Sequence, residues 1–437
     1  MIMNNIKYIL ALFIAMSLVA SCDIDEQANP NGSSIEGFQL DASKSEMQTL
    51  VTGMESLLRE EINFYYDVTS IVGREYYFFT GSDPRYTGEV LGKGDATLDN
   101  AGFYGNRPYF GRYKTIRNAN VLLDAIANST QLTAAEASGL NGFAKTIQAY
   151  EYHLALMLQG DNGIRIDVSD IENLGPFVSY SDALAAIQSL LDEGISDLNA
   201  AGDAFGFNLS SGFSGFDTPS TFAQFNRGIA ARLALYQGNA SDAVAKLGAS
   251  FMDLAGDLNT GPGRFYSTAG GDKGNTIFRV PDQADAIVAH PTFVSDMIDG
   301  DSRSSKVLER SAPITLDDLS GTHDVWVYKS LNDHVPYMRN EELILIYAEA
   351  NVSSNSGEAV NAINIIRTVA GISDYAGATD AASLMNEILF QRRYSLFGEG
   401  HRWVDMRRLG RLNELPLDRA GDDVWPNMPV PVTEIGG

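Results

Sequence analysis

The sequence predicts a mostly α-helical protein, built as a scaffold of paired helices that carries long ordered loops. Three observations predict it. Apolar residues recur at helical spacing in many separate stretches, as in Phe222, Phe225, Ile229, Leu233 and Tyr236. Two segments read as helix hairpins with short turns, and their facing positions are alanines that let paired helices approach closely. Between the helices lie glycine- and aromatic-rich stretches too long to be the turns of a plain repeat array. Apolar residues make up 44% of the 437 and charged residues 20%, a balance that supports a substantial core rather than a disordered chain.

The N-terminus has its own logic. "MIMNNIKYILALFIAMSLVASC" has one cation, Lys7, then an apolar run from Tyr8 to Ala20 that ends in small residues, which suits a secretory signal over residues 1–21. Cys22 is the sole cysteine, so no internal disulfide is possible. Val19-Ala20-Ser21-Cys22 resembles a bacterial lipoprotein box, in which Cys22 is lipidated after cleavage and anchors the chain to a membrane. Residues 22–42, opening "CDIDEQANPNGSS", are acidic, turn-rich and without apolar period, and read as a tether. Acids directly after such a cysteine resemble the signal that sends lipoproteins of Bacteroidetes-type bacteria to the outer cell surface.

The folded domain is expected over residues 43–437. Helices are predicted at Lys114–Ala127, at Thr133–Leu158, and at Ser181–Leu198 with Ser181 as N-cap. Phe222–Gln237 and Ser241–Met252, separated by Gly238-Asn239, form the first hairpin, with Ala230, Ala231 and Ala234 as small contact residues. "EELILIYAEANVSSNSGEAVNAINIIRTVAGI" forms the second, with Ala348, Ala350, Ala359 and Ala362 in that role. A further helix spans Ala382–Phe397. Three stretches read as non-helical: Tyr76–Tyr109, Phe205–Thr218 and Gly256–Val335, the last with strands expected at Thr276–Val280 and around Val325–Tyr328.

The net charge of −25 disfavours nucleic acid and anionic lipid headgroups as direct ligands, because their phosphates would be repelled. A neutral ligand, a cation or a basic protein is compatible. No phosphate-binding loop, nucleophile elbow or paired-histidine zinc motif occurs. His153, His290, His323 and His334 are scattered. Asp299 with Asp301, and Asp317 with Asp318, are weak calcium candidates, since neither has the glycine and closing glutamate of an EF-hand loop. No resident cofactor or metal is expected.

One cluster imitates an active site. In "FGEGHRWVDMRRLGRL", Glu399, His401 and Asp405 stand within seven residues. Arg392, however, falls on the apolar face of the preceding helix, where a buried guanidinium needs a partner. Glu399 and Asp405 are the nearest acids, and Gly398 and Gly400 allow the chain to fold them back. Arg392, Glu399, Arg402 and Asp405 are therefore read as a structural brace, with Trp403 as core beneath it and no catalytic residue among them.

These same residues carry a resemblance. "QRRYSLFGEGHRWVDMRRLGRL" is similar to the C-terminal signature of SusD/RagB-family outer-membrane lipoproteins, with Gln391 and Ser395 in place of the usual glutamates. "RNEELILIYAEA", "AINIIRTVAGI", "YFGRYKTIRNANVLLDAI", "DSR" and "NMPVPVTEI" resemble further marks of that family, in the same order. The resemblance implies a SusD-like fold with tetratricopeptide-like helix pairs and a loop-rich ligand-binding half. It implies an N-terminal part at about residues 43–235 and a C-terminal RagB/SusD part at about 236–437. It also implies a non-enzymatic, cell-surface glycan-binding protein that delivers ligand to a SusC-like TonB-dependent transporter for nutrient uptake. The rival readings are a glycan-degrading enzyme with an unrecognised site and a helical scaffold that binds only protein.

Sugar rings pack their C–H faces on aromatic side chains and pair their hydroxyls with charged and amide groups. The stretch "REYYFFTGSDPRYTGEVLGKGDATLDNAGFYGNRPYF" is dense in both, and it nominates Tyr76, Tyr77, Asp83, Arg85, Tyr86, Tyr104 and Arg107. Trp326, in "THDVWVYK", is the second candidate. Taken singly, each of these aromatics is more readily explained as core.

Overall fold

The structure, a computed structural model, describes residues 41–435. The leader, Cys22 and all but the end of the tether lie outside the described residues. The elements run α1 (Lys44–Leu57), α2 (Ile62–Val72), β1 (Tyr76–Phe79), α3 (Phe103–Asn128), α4 (Ala134–Gln159), β2 (Ile164–Arg165), β3 (Phe177–Val178), α5 (Tyr180–Ala200), α6 (Pro219–Tyr236) and α7 (Ala240–Gly248). Then follow β4 (Gly263–Arg264), β5 (Ala286–Ala289), α8 (Pro291–Ser295), β6 (Val307–Leu316), β7 (Leu319–Val325), β8 (Val335–Pro336), α9 (Asn340–Asn351), α10 (Ser356–Val369), α11 (Ala381–Ser395), α12 (Arg402–Arg408) and α13 (Val432–Ile435). The fold is mostly α, as expected.

Successive long helices pack side by side from α3 through α7, and α9 then continues the row against α7 with α10 and α11 beyond it. The alanines predicted at the hairpin contacts are buried: Ala230, Ala231 and Ala234 in α6, and Ala348, Ala359 and Ala362 in α9 and α10. Capping follows the local chemistry. Thr133 and Glu136 form a reciprocal capping box at the start of α4, and Thr218 caps α6 with Pro219 at its first position.

Several boundaries differ from expectation, each for a physical reason. The N-cap of α5 is Ser179 and not Ser181, because the Ser179 side chain accepts from the Asp182 N–H and the helix starts at Tyr180. Helix α7 stops at Gly248, so Phe251 and Met252 follow it in a turn. Helix α3 begins at Phe103, inside the stretch expected to be irregular; Tyr104 and Tyr109 are fully buried and tertiary packing holds its glycine- and proline-bearing first turns. No strand forms at Thr276–Val280, where Asn275 Oδ1 accepts the N–H groups of Ile277 and Phe278 instead. Strand β7 ends at Val325 and does not reach Tyr328.

A four-stranded antiparallel sheet, ordered β1-β5-β7-β6, sits against this scaffold. In it Tyr76 pairs with Ala289 and Phe79 with Ala286. The main hydrophobic core draws on both halves of the sequence, from Ala42 to Met428, and a second cluster lies among α9, α10 and α11. The sheet thereby places the short segment after β1 beside the start of α3.

Candidate functional site

A surface groove of about 550 Å³ opens between α2, β1, the segment that follows β1, and the first turns of α3. Its aromatic floor is a chain of four rings. Phe64 meets Phe103 edge-on at 5.6 Å, Phe103 meets Tyr86 at 5.4 Å, and Tyr86 lies 4.5 Å from Phe78. Phe64, Phe78 and Phe103 are each partly exposed, so the rings present edges and faces to solvent.

Three arginines lie over these rings. The guanidinium carbon of Arg107 is 4.7 Å from the centre of Phe64, that of Arg85 4.5 Å from Phe103, and that of Arg279 6.0 Å from Phe78. Arg85 is fixed by Asp83, to which its Nε and Nη2 donate at 2.9 and 2.7 Å. That pairing holds the Asp83 carboxyl below its ordinary range. Asp67 stands at the inner wall. Burial pushes its pKa up to about 6, against the opposing effects of Arg279 at 3.5 Å and the Tyr76 hydroxyl at 3.2 Å. The groove can thus offer aromatic faces, charged donors and carboxylate acceptors to one ligand.

Of the residues nominated from sequence, Asp83, Arg85, Tyr86 and Arg107 line this groove together. Tyr86 contributes only a ring edge, being 5% exposed. Tyr76, Tyr77 and Tyr104 are corrected to core. Tyr76 is buried behind the wall and donates to the Tyr66 carbonyl. Tyr77 points to the opposite face of β1, stacked on Phe79 at 5.5 Å, as period-two alternation requires. Tyr104 is fully buried, with its hydroxyl bonded to Glu89. Trp326 lies apart from the groove; it is half-buried, with its ring centre 6.1 Å from that of Phe278.

Phe64, Phe78, Phe103 and Arg279 were not singled out. Phe78 and Phe103 lie within the nominated stretch, and their membership follows from strand alternation and from α3 starting early. Phe64 is on a mostly buried helix and Arg279 is some two hundred residues away in sequence, so nothing local marked either one.

The residues that imitated an active site form ion pairs inside the protein. Arg392 donates to Asp405 at 2.6 and 3.2 Å, and Arg408 joins both Asp405 at 2.9 Å and Glu349 at 2.5 Å. Glu399 does not fold onto Arg392, which is a correction: it pairs with Arg339, whose Nη2 also donates to Glu341 at 2.8 Å. The turn carries Glu399 toward the start of α9 because Gly398 and Gly400 both adopt positive φ. Among the described residues Arg402 joins none of these pairs, and its buried Nε has no hydrogen-bond partner. Trp403 is fully buried and donates to the Trp425 carbonyl at 2.8 Å. His401 faces a small cavity of about 30 Å³, and burial lowers its pKa to about 4, so it is neutral near pH 7.

Of the calcium candidates, Asp301 is held by Arg303 at 2.6 Å and Asp317 by Arg419 at 2.8 Å. Among the described residues no group of three or more His, Cys, Asp or Glu is placed to hold a metal ion.

A sequence profile of the SusD family matches residues 315–422, which include α9 to α12 and the whole ion-pair cluster. Over that stretch the chain is similar to the SusD family. A SusD-like protein of Formosa agariphila is 30% identical over 125 residues, a match covering 25% of this chain. That match spans about a quarter of the length of the relative, 24%. The SusD fold extends over almost all of the described residues. A SusD superfamily protein from Bacteroides vulgatus superposes with a TM-score of 0.68 at 15% identity, covering 91% of this chain and 97% of its own. A SusD-like carbohydrate binding protein from the same organism gives 0.64 at 16% identity, covering 84% of each chain. Surface glycan-binding protein A from Bacteroides uniformis gives 0.66 at 15% identity, covering 90% of this chain and 97% of its own. The stretch that matches the SusD family holds the ion-pair cluster, and the candidate ligand groove lies outside it.

Proposed function

We propose that this chain is a cell-surface, glycan-binding lipoprotein that captures oligosaccharide without cleaving it and delivers it to a SusC-like TonB-dependent transporter for nutrient uptake. Lipid on Cys22 tethers it to the outer membrane, and residues 22–42 give the folded domain reach. The observation that carries the reading is the groove itself, where Phe64, Phe78, Tyr86 and Phe103 form a floor beneath Arg85, Arg107 and Arg279. Apolar ring faces with rigid polar groups at their edges suit pyranose rings, whose C–H faces and hydroxyls make the complementary contacts. The names of two structural neighbours, a carbohydrate binding protein and a surface glycan-binding protein, favour the same ligand class.

Affinity electrophoresis of the folded domain against a panel of soluble polysaccharides tests the reading. Retardation by at least one glycan, lost in a Phe64→Ala/Arg107→Ala variant, is expected. New reducing ends on incubation would replace binding with catalysis, and failure of every glycan to retard the protein would favour a protein-binding scaffold.

A further inference from the structure

The structure holds a second, larger cleft that shares no lining residue with the aromatic groove. It has a volume of about 790 Å³ and is lined by segments from the 211–214 turn, 258–263, 303–306, 327–341, the end of α10 and Glu399. Such a volume falls within the range of small-molecule sites, roughly 300–1,000 Å³.

The floor of the cleft is rigid because its charges are spent on one another. Arg303 is clamped by Asp301, and Arg339 by Glu341 and Glu399. Lys306 donates to the Tyr394 carbonyl at 2.9 Å and also to that of Ser395, at the C-terminal end of α11. Arg303 donates to Gln391 O at 3.4 Å, and Arg339 also reaches Ser395 O. Three cations thus converge on one helix C-terminus, where they complement the helix dipole. Asp301, Glu341 and Glu399 pair with the two arginines in the wall, and Asp333, which also lines the cleft, accepts from the Lys329 and Ser330 N–H groups and the Ser330 hydroxyl. A charged ligand would have to break these pairs, and an anionic one would also meet the Asp333 carboxylate.

Apart from the Asp333 carboxylate, the surface left for a ligand is uncharged and mixed in character. The half-buried Val327 and Pro336 give apolar area, to which the largely buried Tyr328 and Leu258 add only edges, while Ser211, Ser214, Asn259 and His334 stand exposed at the rim. Glycines at 212, 261 and 263 bring backbone close to the opening. Apolar area ringed by hydroxyl, amide and imidazole groups fits a chain of neutral sugars.

From this arrangement we infer that the cleft floored by Arg303, Lys306 and Arg339 is a second ligand site, for an uncharged, hydroxyl-rich oligosaccharide. The ligand class is continuous with the reading of the groove, but the site is independent of it. Occupation of both sites by separate segments of one long glycan would raise its avidity without any new contact.

Calorimetric titration separates the two. The probes are neutral gluco-, xylo-, manno- and galacto-configured hexasaccharides, together with hexagalacturonate. Val369 stands 61% exposed at the cleft edge, so Val369→Trp plugs the mouth without disturbing the core. The wild-type domain is expected to bind two equivalents of at least one neutral probe. Val369→Trp and Phe64→Ala/Arg107→Ala are each expected to retain one, with unchanged melting temperature. Asn259→Ala, which removes a rim amide, is expected to weaken the cleft equivalent by about fivefold. A single equivalent that Val369→Trp leaves intact would overturn the cleft while leaving the groove standing. A single equivalent lost in Val369→Trp and kept in the groove variant would support the cleft and overturn the groove. Binding of hexagalacturonate alone at the cleft, or of none of the probes, would overturn the neutral-glycan assignment.

Discussion

Arg392 and Asp405, thirteen residues apart, form a two-point ion pair at 2.6 and 3.2 Å that is almost wholly enclosed by the protein. Arg392 is 3% exposed and Asp405 1%. Removing the acid strands a buried guanidinium, at a cost of about 3–5 kcal/mol. Asp405→Ala is therefore expected to lower the melting temperature sharply and to leave glycan affinity of the remaining folded protein unchanged. Full thermal stability combined with lost binding would mean that Asp405 serves the ligand.

The same pair sets a pH dependence. Arg392 and Arg408 hold Asp405 down at about 2, below its ordinary 3.8, against the opposing effect of burial. A depressed carboxyl stabilises the fold above its unfolded pKa and loses that contribution as pH falls through its folded one. Denaturant unfolding of the wild type should therefore show Asp405-dependent loss of stability between about pH 4 and pH 2, and the Asp405→Asn variant should lack that component.

Glu75 behaves in the opposite sense. Burial raises its carboxyl from 4.5 to about 7, with Arg402 opposing, and among the described residues only Oε1 has a partner, the Gly398 N–H at 3.2 Å. The folded state keeps this proton where the unfolded chain has released it, so the group costs stability as pH rises from about 4.5 to 7. Glu75→Gln is expected to match the wild type at pH 4.5 and to exceed it by about 1–3 kcal/mol at pH 8. Equal stability at both values would remove Glu75 as a titrating group.

Gly398 and Gly400 should differ in their tolerance of a side chain. Both have positive φ, 74° and 78°, which any Cβ strains. At Gly400 a Cβ would also lie 2.9 Å from Thr69 Oγ1 and 3.0 Å from Tyr65, whereas at Gly398 its nearest neighbour is Tyr76 at 3.6 Å. Gly400→Ala is expected to cost more than Gly398→Ala, about 2–3 against 1 kcal/mol, by denaturant midpoint. The reverse order would place the constraint outside this turn.

In the groove, Arg107 and Phe64 should act together. The Arg107 guanidinium stacks on the Phe64 ring and is itself exposed, so neither residue holds up the core. Phe64→Ala and Arg107→Ala are each expected to weaken glycan binding by about 1 kcal/mol with little change in stability. A coupling energy of zero in the double-mutant cycle would show that they do not form one platform.

Much of this protein was legible in its sequence. Periodic apolar stripes located the long helices of the scaffold, Ala-rich faces marked their contacts, and the run from Gln391 to Leu412 pointed to the family. These signals are local: a helical stripe, a cap or a hairpin lies within a few turns of chain. The need of Arg392 for a partner was equally legible, since an apolar helix face and nearby acids are all that it takes to see it.

What the sequence could not rank was exposure among neighbouring aromatics. Tyr77 and Phe78 differ by one residue, yet strand β1 sends the first into the core and the second into the groove. Nor could it choose between Asp405 and Glu399 for Arg392. That choice depended on Arg339, sixty residues from Glu399, arriving at the start of α9 to claim it. By itself, then, the sequence determined the helical scaffold and the family signature, because periodicity and local spacing encode them. Only the tertiary structure decided which side chains share a site: Phe64, Asp83, Arg107 and Arg279 meet through the packing of β1 against the helices, and such long-range juxtaposition leaves no mark within any single stretch of chain.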